Sequence, residues 1–290
     1  MHTCIVILGP TASGKTSLSI RLARQFHGVV ISADSRQVYR GMNIGTGKVT
    51  KREMAGVPHY VLDVASPRGQ YSVARYVADV RRVLRRIPET TPIFLVGGSP
   101  FYIDAVTKPG SFSSVPPNQV LRRRLEKWST ARLIARLRLL DPVRVSTIDT
   151  ANRRRLIRAI EIASVTTPPP SITLPPMRLL TIGIAITKQK LHANIDRRVD
   201  VRMRQGMVRE VQRLHDAGVP WKTLDAFGLE YRFLARYLRG GLTKTEVVQQ
   251  LKQAIKDFAK RQMTWWKRDT TIHWIDTSQQ AVRLVTKFLN

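Results

Sequence analysis

A chain of 290 residues can bury a substantial core and suits one large domain or a domain carrying an insertion. Hydrophobic residues at 43% exclude a disordered chain, and 49 Lys and Arg against 20 Asp and Glu leave a net charge of +29, which points to nucleic acid as a partner. The single cysteine, Cys4, excludes an intramolecular disulfide, no stretch has the length of a membrane span, and no leader pattern opens the chain, so a soluble cytoplasmic protein without a membrane partner is expected.

The opening stretch CIVILGPTASGKTSLSIRLARQF carries the most chemistry. An apolar run over residues 4–8 predicts a buried strand, with Cys4 as a small core residue, that feeds a glycine-rich turn and then an amphipathic helix. Gly9, Gly14, Lys15 and Thr16 fill the G-x-x-x-x-G-K-[ST] pattern of a P-loop, with Pro10, Thr11, Ala12 and Ser13 between them. Backbone N–H groups of such a loop wrap a phosphate, the lysine adds a point charge, the Thr16 hydroxyl can reach Mg²⁺, and the helix N-terminus adds positive potential. A nucleotide and any other diphosphate look alike to backbone amides, so the loop alone leaves its ligand open.

Residues 29–33 predict a second strand that delivers Asp34 to its C-terminal end, where a parallel sheet holds its ligands. Asp34 is a candidate Mg²⁺-associated carboxylate or general base, with a turn cap as the plain structural alternative. A third strand is expected at residues 60–64. YSVARYVADVRRVLRRI predicts a helix with Val73, Val77, Val80 and Leu84 on one face and Arg81, Arg82, Arg85 and Arg86 on its solvated side. The apolar strand 93–96 follows and ends in Gly97, Gly98 and Ser99. It has no acid at its end, which argues against a motor-type NTPase, and Ser99 becomes a candidate hydroxyl at the mouth of the site.

Between residues 110 and 117 the composition turns to Ser, Pro and Gly, a boundary signal. Beyond it LRRRLEKWSTARLIARLRLL and NRRRLIRAIEIAS are basic helical segments, closed by the proline-rich linker TTPPPSITLPPMR. The expectation is an α/β fold, a P-loop NTPase-like parallel-sheet core (1–112 and 178–290) with a helical insertion domain (113–177). In the second segment Arg154, Arg155 and Arg158 share a stripe opposite Leu156, Ile160 and Ala163, which suggests packing on one side and phosphates on the other. RLLTIGIAI returns to strand composition. A helix over 196–217 is expected to carry Val199, Met203, Val208, Val211 and Leu214 inward and to stop at Gly218, with Arg197 and Arg198 at its start in reach of an anion. The last long helix opens at Thr243 with Glu246 three residues on, a capping box, and runs through Val247, Leu251, Ile255 and Phe258 to KRQMTWWKRD. There Lys260, Arg261, Lys267 and Arg268 interleave with Trp265 and Trp266 as charge and ring do in single-stranded RNA sites, although a Trp pair at a helix end is more often core. No Cys/His spacing suits a structural metal.

With these motifs placed, the chain resembles the tRNA dimethylallyltransferases, also called tRNA isopentenyltransferases or the IPP transferase family. The resemblance is carried by GPTASGKT (9–16), ISADSRQVYRGMNIGTGK (31–48), VGGSPFYI (96–103), RRLIRAIEI (154–162), RRVDVRMRQGMVREV (197–211) and AKRQMTWWKR (259–268), in the family's order and over nearly the whole chain. It implies Mg²⁺-dependent transfer of a dimethylallyl group from dimethylallyl diphosphate to N6 of the adenosine 3′ of a tRNA anticodon, by a monomer that takes the anticodon stem-loop as substrate. The P-loop, Gly9 to Thr16, with Arg198 would hold the diphosphate. Asp34 would be the general base, Thr16 a catalytic or Mg²⁺-linked hydroxyl, and Ser99 a catalytic hydroxyl. Contacts to tRNA would come from Asp34, Ser35, Arg36, Gln37 and Ser99, from Arg123, Arg154, Arg155, Leu156, Ile157 and Arg158, and from Lys260, Arg261 and Gln262. Ser99-Pro100 stands where the family usually has Thr-Gly, Asn43 where Asp is common, and Asn194 where Arg is frequent, which leaves Arg198 as the phosphate clamp.

The chemistry agrees with that implication. An exocyclic amine delocalises its lone pair into the ring and is a poor nucleophile, so the reaction needs a carboxylate to take its proton and a stabilised leaving group. A target base must also leave its stack, which favours a loop nucleotide and a basic surface spread over two domains. Two other readings are a small-molecule P-loop kinase, which leaves the basic insert unexplained, and an RNA-binding NTPase without transferase activity, which leaves the DSRQ stretch and the acid-free strand unexplained.

Overall fold

The computed structural model describes residues 1–108, 110, 112–169 and 172–290. The chain forms two compact units, Met1–Pro109 with Leu174–Asn290, and Gly110–Thr173. Pro109 and Ser111 at the expected boundary, and Pro170 and Ser171 in the expected linker, lie outside the described residues.

The first unit is built on a six-stranded sheet in the order β3-β2-β4-β1-β5-β6. Its strands are β1 (His2–Leu8), β2 (Val29–Ser32), β3 (His59–Tyr60), β4 (Ile93–Gly97), β5 (Met177–Ile184) and β6 (His273–Ile275), and every adjacent pair is parallel. A parallel sheet is covered on both faces, so its inner strands read as apolar runs without alternation, and β1 and β4 are of that kind. Helix α1 (Lys15–Gln25) contributes Leu18 and Leu22 to a core with Ile5, Ile7, Phe94 and Ile182. Helices α2 (Lys51–Met54), α3 (Val73–Leu84) and α4 (Pro100–Thr107) follow, and α3 buries Val77, Val80 and Leu84 on the face expected. The fully buried Tyr76 of α3 stacks on Tyr102 of α4 with ring centroids 4.1 Å apart.

The third strand stops at Tyr60, short of the expected 60–64, because Val61 and Asp63 take φ of 61° and 56°, outside strand geometry. That turn delivers the Asp63 carboxylate to Lys48.

The second unit contains α5 (Gln119–Leu125), α6 (Thr130–Leu140), α7 (Pro142–Thr147) and α8 (Arg153–Ala163) around a core of Leu125, Leu133, Leu137, Leu156, Ile157 and Ile160. The arginine stripe on α8 is split. Arg154 and Arg155 are exposed, as is Arg123 on α5, whereas Arg158 is committed to its own unit, donating to the Val115 carbonyl at 2.5 Å and pairing with Glu161 at 3.3 Å. The Glu161 carboxylate is fully buried and also accepts from Arg122 Nε and Nη2, each at 2.8 Å, and from the Asn118 N–H at 2.8 Å. Leu156 and Ile157, expected to touch tRNA, point into the core instead, since an apolar side chain at that point on α8 finds Leu133 and Leu137 rather than water.

Back in the first unit, α9 (Lys188–Arg204) and α10 (Met207–Asp216) replace the single helix expected over 196–217. Gly206 has φ 97°, a left-handed conformation that an L side chain resists, and it ends one helix and opens the next. Then come α11 (Trp221–Ala226), α12 (Leu229–Leu238), α13 (Lys244–Trp266), opened by the expected Thr243–Glu246 capping box, and α14 (Ser278–Leu289). On α13 the buried row is Val247, Leu251, Ile255, Ala259, Gln262 and Trp266, so Phe258 is exposed, contrary to the expected inward row. The tryptophan pair divides, Trp266 into the core and Trp265 to the surface. Among the described residues no helix is long and apolar enough to cross a membrane.

Candidate functional site

Three neighbouring strands, β2, β4 and β1, bring their C-terminal ends to one edge of the sheet, and each ends in a residue singled out from the sequence. β1 leads into the P-loop, β2 into Asp34 and β4 into Gly98 and Ser99. Residues more than sixty positions apart meet there, as the Ser35 backbone N–H donating to Ser99 Oγ at 3.1 Å shows. The strands approach closely enough to demand a glycine at 97, where a Cβ would lie 2.1 Å from the Ala33 carbonyl oxygen.

The P-loop opens α1 at Gly14, which places no side chain over the first N–H groups of the helix. Such uncapped N–H groups are an anion site. Lys15 Nζ folds back to donate to the Gly9 and Pro10 carbonyls at 2.8 and 2.7 Å. From α9, Arg198 Nη2 donates to Thr11 Oγ1 at 2.5 Å and Asn194 Nδ2 to the Ala12 carbonyl at 3.2 Å. The asparagine at 194 therefore braces the loop, and Arg198 reaches it as charge. Ser13 Oγ and Arg198 Nε are buried without a hydrogen-bond partner. A buried donor left unmatched is costly, and both atoms belong to residues that line the cleft beside the loop.

Burial, aided by the neighbouring Arg198 charge and opposed by Asp34, brings the Lys15 ammonium down to about 7. Burial also brings Arg198 down to about 10, with Arg202 adding to the effect and Glu230 and Asp34 opposing it. Two cations held this close in a dry site store repulsion that a bound anion relieves.

Asp34 Oδ1 accepts from the N–H groups of Arg36 and Gln37 at 2.8 and 3.3 Å. It thus caps the turn and at the same time has its carboxylate fixed toward the cleft that it lines. Gln37 is oriented in turn, Nε2 donating to the carbonyls of Thr46 and Gly47 at 3.4 and 3.3 Å. The cleft occupies about 1870 Å³ and is lined by the P-loop, residues 34–37, residues 43–50, the turn after β4, and parts of α9, α12 and α13. A pocket for one drug-sized ligand is about 300–1,000 Å³, so this one admits more than a small molecule.

The wall formed by residues 43–47 has no regular structure, and charged side chains that sequence reasoning passed over hold it. Glu210 of α10, 2% exposed, accepts from the N–H groups of Asn43, Ile44 and Gly45 at 2.9, 2.7 and 2.9 Å and from the Tyr231 hydroxyl at 2.8 Å. Lys48 Nζ spends its three protons on the Tyr39 carbonyl, Asn43 Oδ1 and Asp63 Oδ1. Arg202 Nη1 donates to the Gly45 carbonyl at 3.1 Å and pairs with Glu230. A signal for Glu210 was present, because it falls on the same helical face as Met207, Val211 and Leu214, where an acid needs a buried partner. Arg202 gave a similar sign among Val199 and Ile195.

Of the expected site residues, the P-loop, Asp34, Ser35, Arg36, Gln37, Ser99, Arg198 and Gln262 all line this one cleft or its loop. Gln262 is not a free RNA-facing amide. It is 4% exposed, its carbonyl oxygen accepting from Thr11 N–H at 2.9 Å and its Nε2 donating to the Gly98 carbonyl at 2.6 Å. Lys260 and Arg261, off that inward row, are exposed.

Comparison with known proteins agrees with this geometry. The family model described as IPP transferase matches residues 37–269. The chain is 44% identical over 281 residues to tRNA dimethylallyltransferase 1 of Geotalea daltonii, covering 95% of this chain and 91% of that protein. The crystal structure of the tRNA isopentenylpyrophosphate transferase of Bacillus halodurans superposes with a TM-score of 0.75 at 32% identity, over 100% of this chain and 97% of that one. A eukaryotic dimethylallyltransferase acting on tRNA shares the fold, with a TM-score of 0.81 at 22% identity, over 100% of this chain and 80% of that one. The resemblance carried by the six motifs is thus confirmed along the chain, and the protein belongs to the IPP transferase family, whose curated relatives are tRNA dimethylallyltransferases.

Proposed function

We propose that the protein transfers a dimethylallyl group from dimethylallyl diphosphate to N6 of the adenosine next to the anticodon of tRNA, on the 3′ side, releasing diphosphate. The observation that carries this reading is the P-loop with unmatched donors lying on the same sheet edge as Asp34 and within one cleft. A small-molecule kinase finds no support among the relatives.

In the proposed step the N6 lone pair attacks C1 of the allyl group, the C1–O bond breaks, diphosphate leaves with the bonding pair, and the N6 proton passes to Asp34. Oδ1 is held by the turn N–H groups, so Oδ2 is assigned the proton. Lys15, Arg198 and the N–H groups at the start of α1 take the charge that develops on the leaving group. Ser99 fixes Ser35, and hence the turn that carries Asp34. The Gln37 amide is set beside the place of the base. Among the described residues no three His, Cys, Asp or Glu side chains gather as a metal cage. The Thr16 hydroxyl beside a phosphate loop fits a cation held mainly by phosphate oxygens and water, as Mg²⁺ is. When bound, Mg²⁺ offsets charge on the diphosphate. On the helical unit, exposed Arg123, Arg154 and Arg155 are assigned to tRNA phosphates, and Lys260 and Arg261 likewise on the first unit. A monomer working in the cytoplasm completes the proposal.

Incubation with labelled dimethylallyl diphosphate, Mg²⁺ and bulk tRNA transfers label to RNA if the reading holds. Label released as free prenyl alcohol, with none on RNA, would refute it.

Two further results are expected. Because the free Lys15 titrates near 7, it is charged below that pH and neutral above it. Diphosphate binding must then recruit a proton at higher pH, and affinity falls by up to about tenfold per unit above pH 7. Lys15→Arg keeps its charge and flattens that slope. Calorimetric titration of inorganic diphosphate into both proteins measures it, and parallel slopes would exclude Lys15 as the titrating group. In filter binding across a salt series, Arg154→Ala with Arg155→Ala lowers the log–log slope for tRNA by roughly 0.7 to 0.9 for each phosphate no longer neutralised. An unchanged slope would assign these arginines to plain solvated surface.

A further inference from the structure

The β1–β4 ladder ends at Leu8 and Gly97. Past that point the chain becomes two loops with different tasks, the P-loop for the leaving group and the Gly98–Ser99 turn for the residue that carries the base. We propose that Gln262, reaching in from α13, is a positioning residue that sets the separation of these two loops, and with it the distance between the electrophile and Asp34. The proposal rests on the function assigned above.

The amide suits the task because its two ends differ. Its oxygen accepts from Thr11 N–H at 2.9 Å and its nitrogen donates to the Gly98 carbonyl at 2.6 Å. Each of these bonds lies within one residue of a working group. Thr11 carries the hydroxyl that accepts from Arg198, and Gly98 precedes Ser99, whose Oγ accepts from the Ser35 N–H beside Asp34. A continuous route therefore runs Arg198, Thr11, Gln262, Gly98, Ser99, Ser35, with the glutamine as the link between the two loops. Its base is rigid, since the buried Leu251, Ile255, Ala259 and Trp266 lock the same face of α13 into the core. With both ends spent on backbone and 4% of its surface exposed, Gln262 acts through the two loops that it joins. Displacing a reacting group by about 1 Å can cost roughly 10²-fold in rate.

The test is single-turnover prenyl transfer together with equilibrium binding of dimethylallyl diphosphate and of tRNA. Gln262→Met fills the same volume and makes neither hydrogen bond. Its rate is expected to fall about 10- to 10²-fold while both affinities stay within about threefold. Gln262→Glu keeps the acceptor for Thr11 but sets an oxygen against the Gly98 carbonyl unless the carboxyl is protonated. Its rate relative to wild type is therefore expected to rise as pH falls, a signature that poorer packing alone does not produce. A wild-type rate in Gln262→Met overturns the proposal. So does an effect confined to tRNA affinity, which would make Gln262 a substrate contact, or a Gln262→Glu ratio that is flat with pH. Failure of the wild-type protein to prenylate any RNA instead overturns the assigned function.

Discussion

Asp34→Asn lowers the single-turnover rate of prenyl transfer by about 10²- to 10⁴-fold, with tRNA affinity little changed. The amide keeps the shape of the side chain, and its oxygen can still accept from the Arg36 and Gln37 N–H groups as Oδ1 does. The turn is therefore retained and the proton acceptor alone is removed. This matters because Asp34 holds two roles, turn cap and candidate base, and only a substitution that preserves the first reports on the second. Running the variant across a Mg²⁺ series separates the base from a metal carboxylate. Rescue to near the wild-type rate by added Mg²⁺ would move Asp34 to the metal, and an unimpaired variant would remove it from the chemistry.

Lys15→Met is expected to reduce transfer by about 10³-fold, the scale on which single preorganised donors to a developing anion act, while tRNA binding is retained. Lys15 also makes two structural bonds, to the Gly9 and Pro10 carbonyls, so the loop must be shown to persist without them. Inorganic diphosphate is expected to protect the amide hydrogens of residues 9 and 11–16 from exchange in the wild type. In the variant the unliganded exchange of those amides should match wild type, with the protection weakened. Full activity in Lys15→Met would exclude the loop as the leaving-group site.

The parts of the site legible in the sequence are those whose chemistry demands close spacing. A phosphate loop needs its glycines, lysine and hydroxyl within eight positions, and Asp34 and Ser99 announce themselves by following apolar strands. The parallel sheet is readable for the same reason, since strands buried on both faces cannot hide their composition. What escapes is set by tertiary convergence. Glu210 and the backbone that it binds are more than 160 positions apart, and no local pattern links them. Gln262 enters as an RNA contact beside Lys260 and Arg261 through the resemblance, yet one step along a helix turns a side chain by about 100°, from solvent to core. Arg158 misleads for the complementary reason. Its stripe is right, but Glu161 three residues on is its ion partner, and that acid lies in the same RRLIRAIEI motif. The break at Gly206 is visible as a glycine in a helical run, outweighed there by the apolar period on both sides.

The insertion also affects how the protein is made. β1 lies between β4 and β5, and β5 is encoded after the whole of Gly110–Thr173. On a ribosome, at about 5–20 residues per second, β1 lacks a neighbour on one side for the several seconds that the helical unit takes to be made. An apolar strand with an open edge recruits other strands. The nascent chain is thus most prone to aggregate in the interval when its basic helices are emerging, and their like charge then keeps neighbouring nascent chains apart.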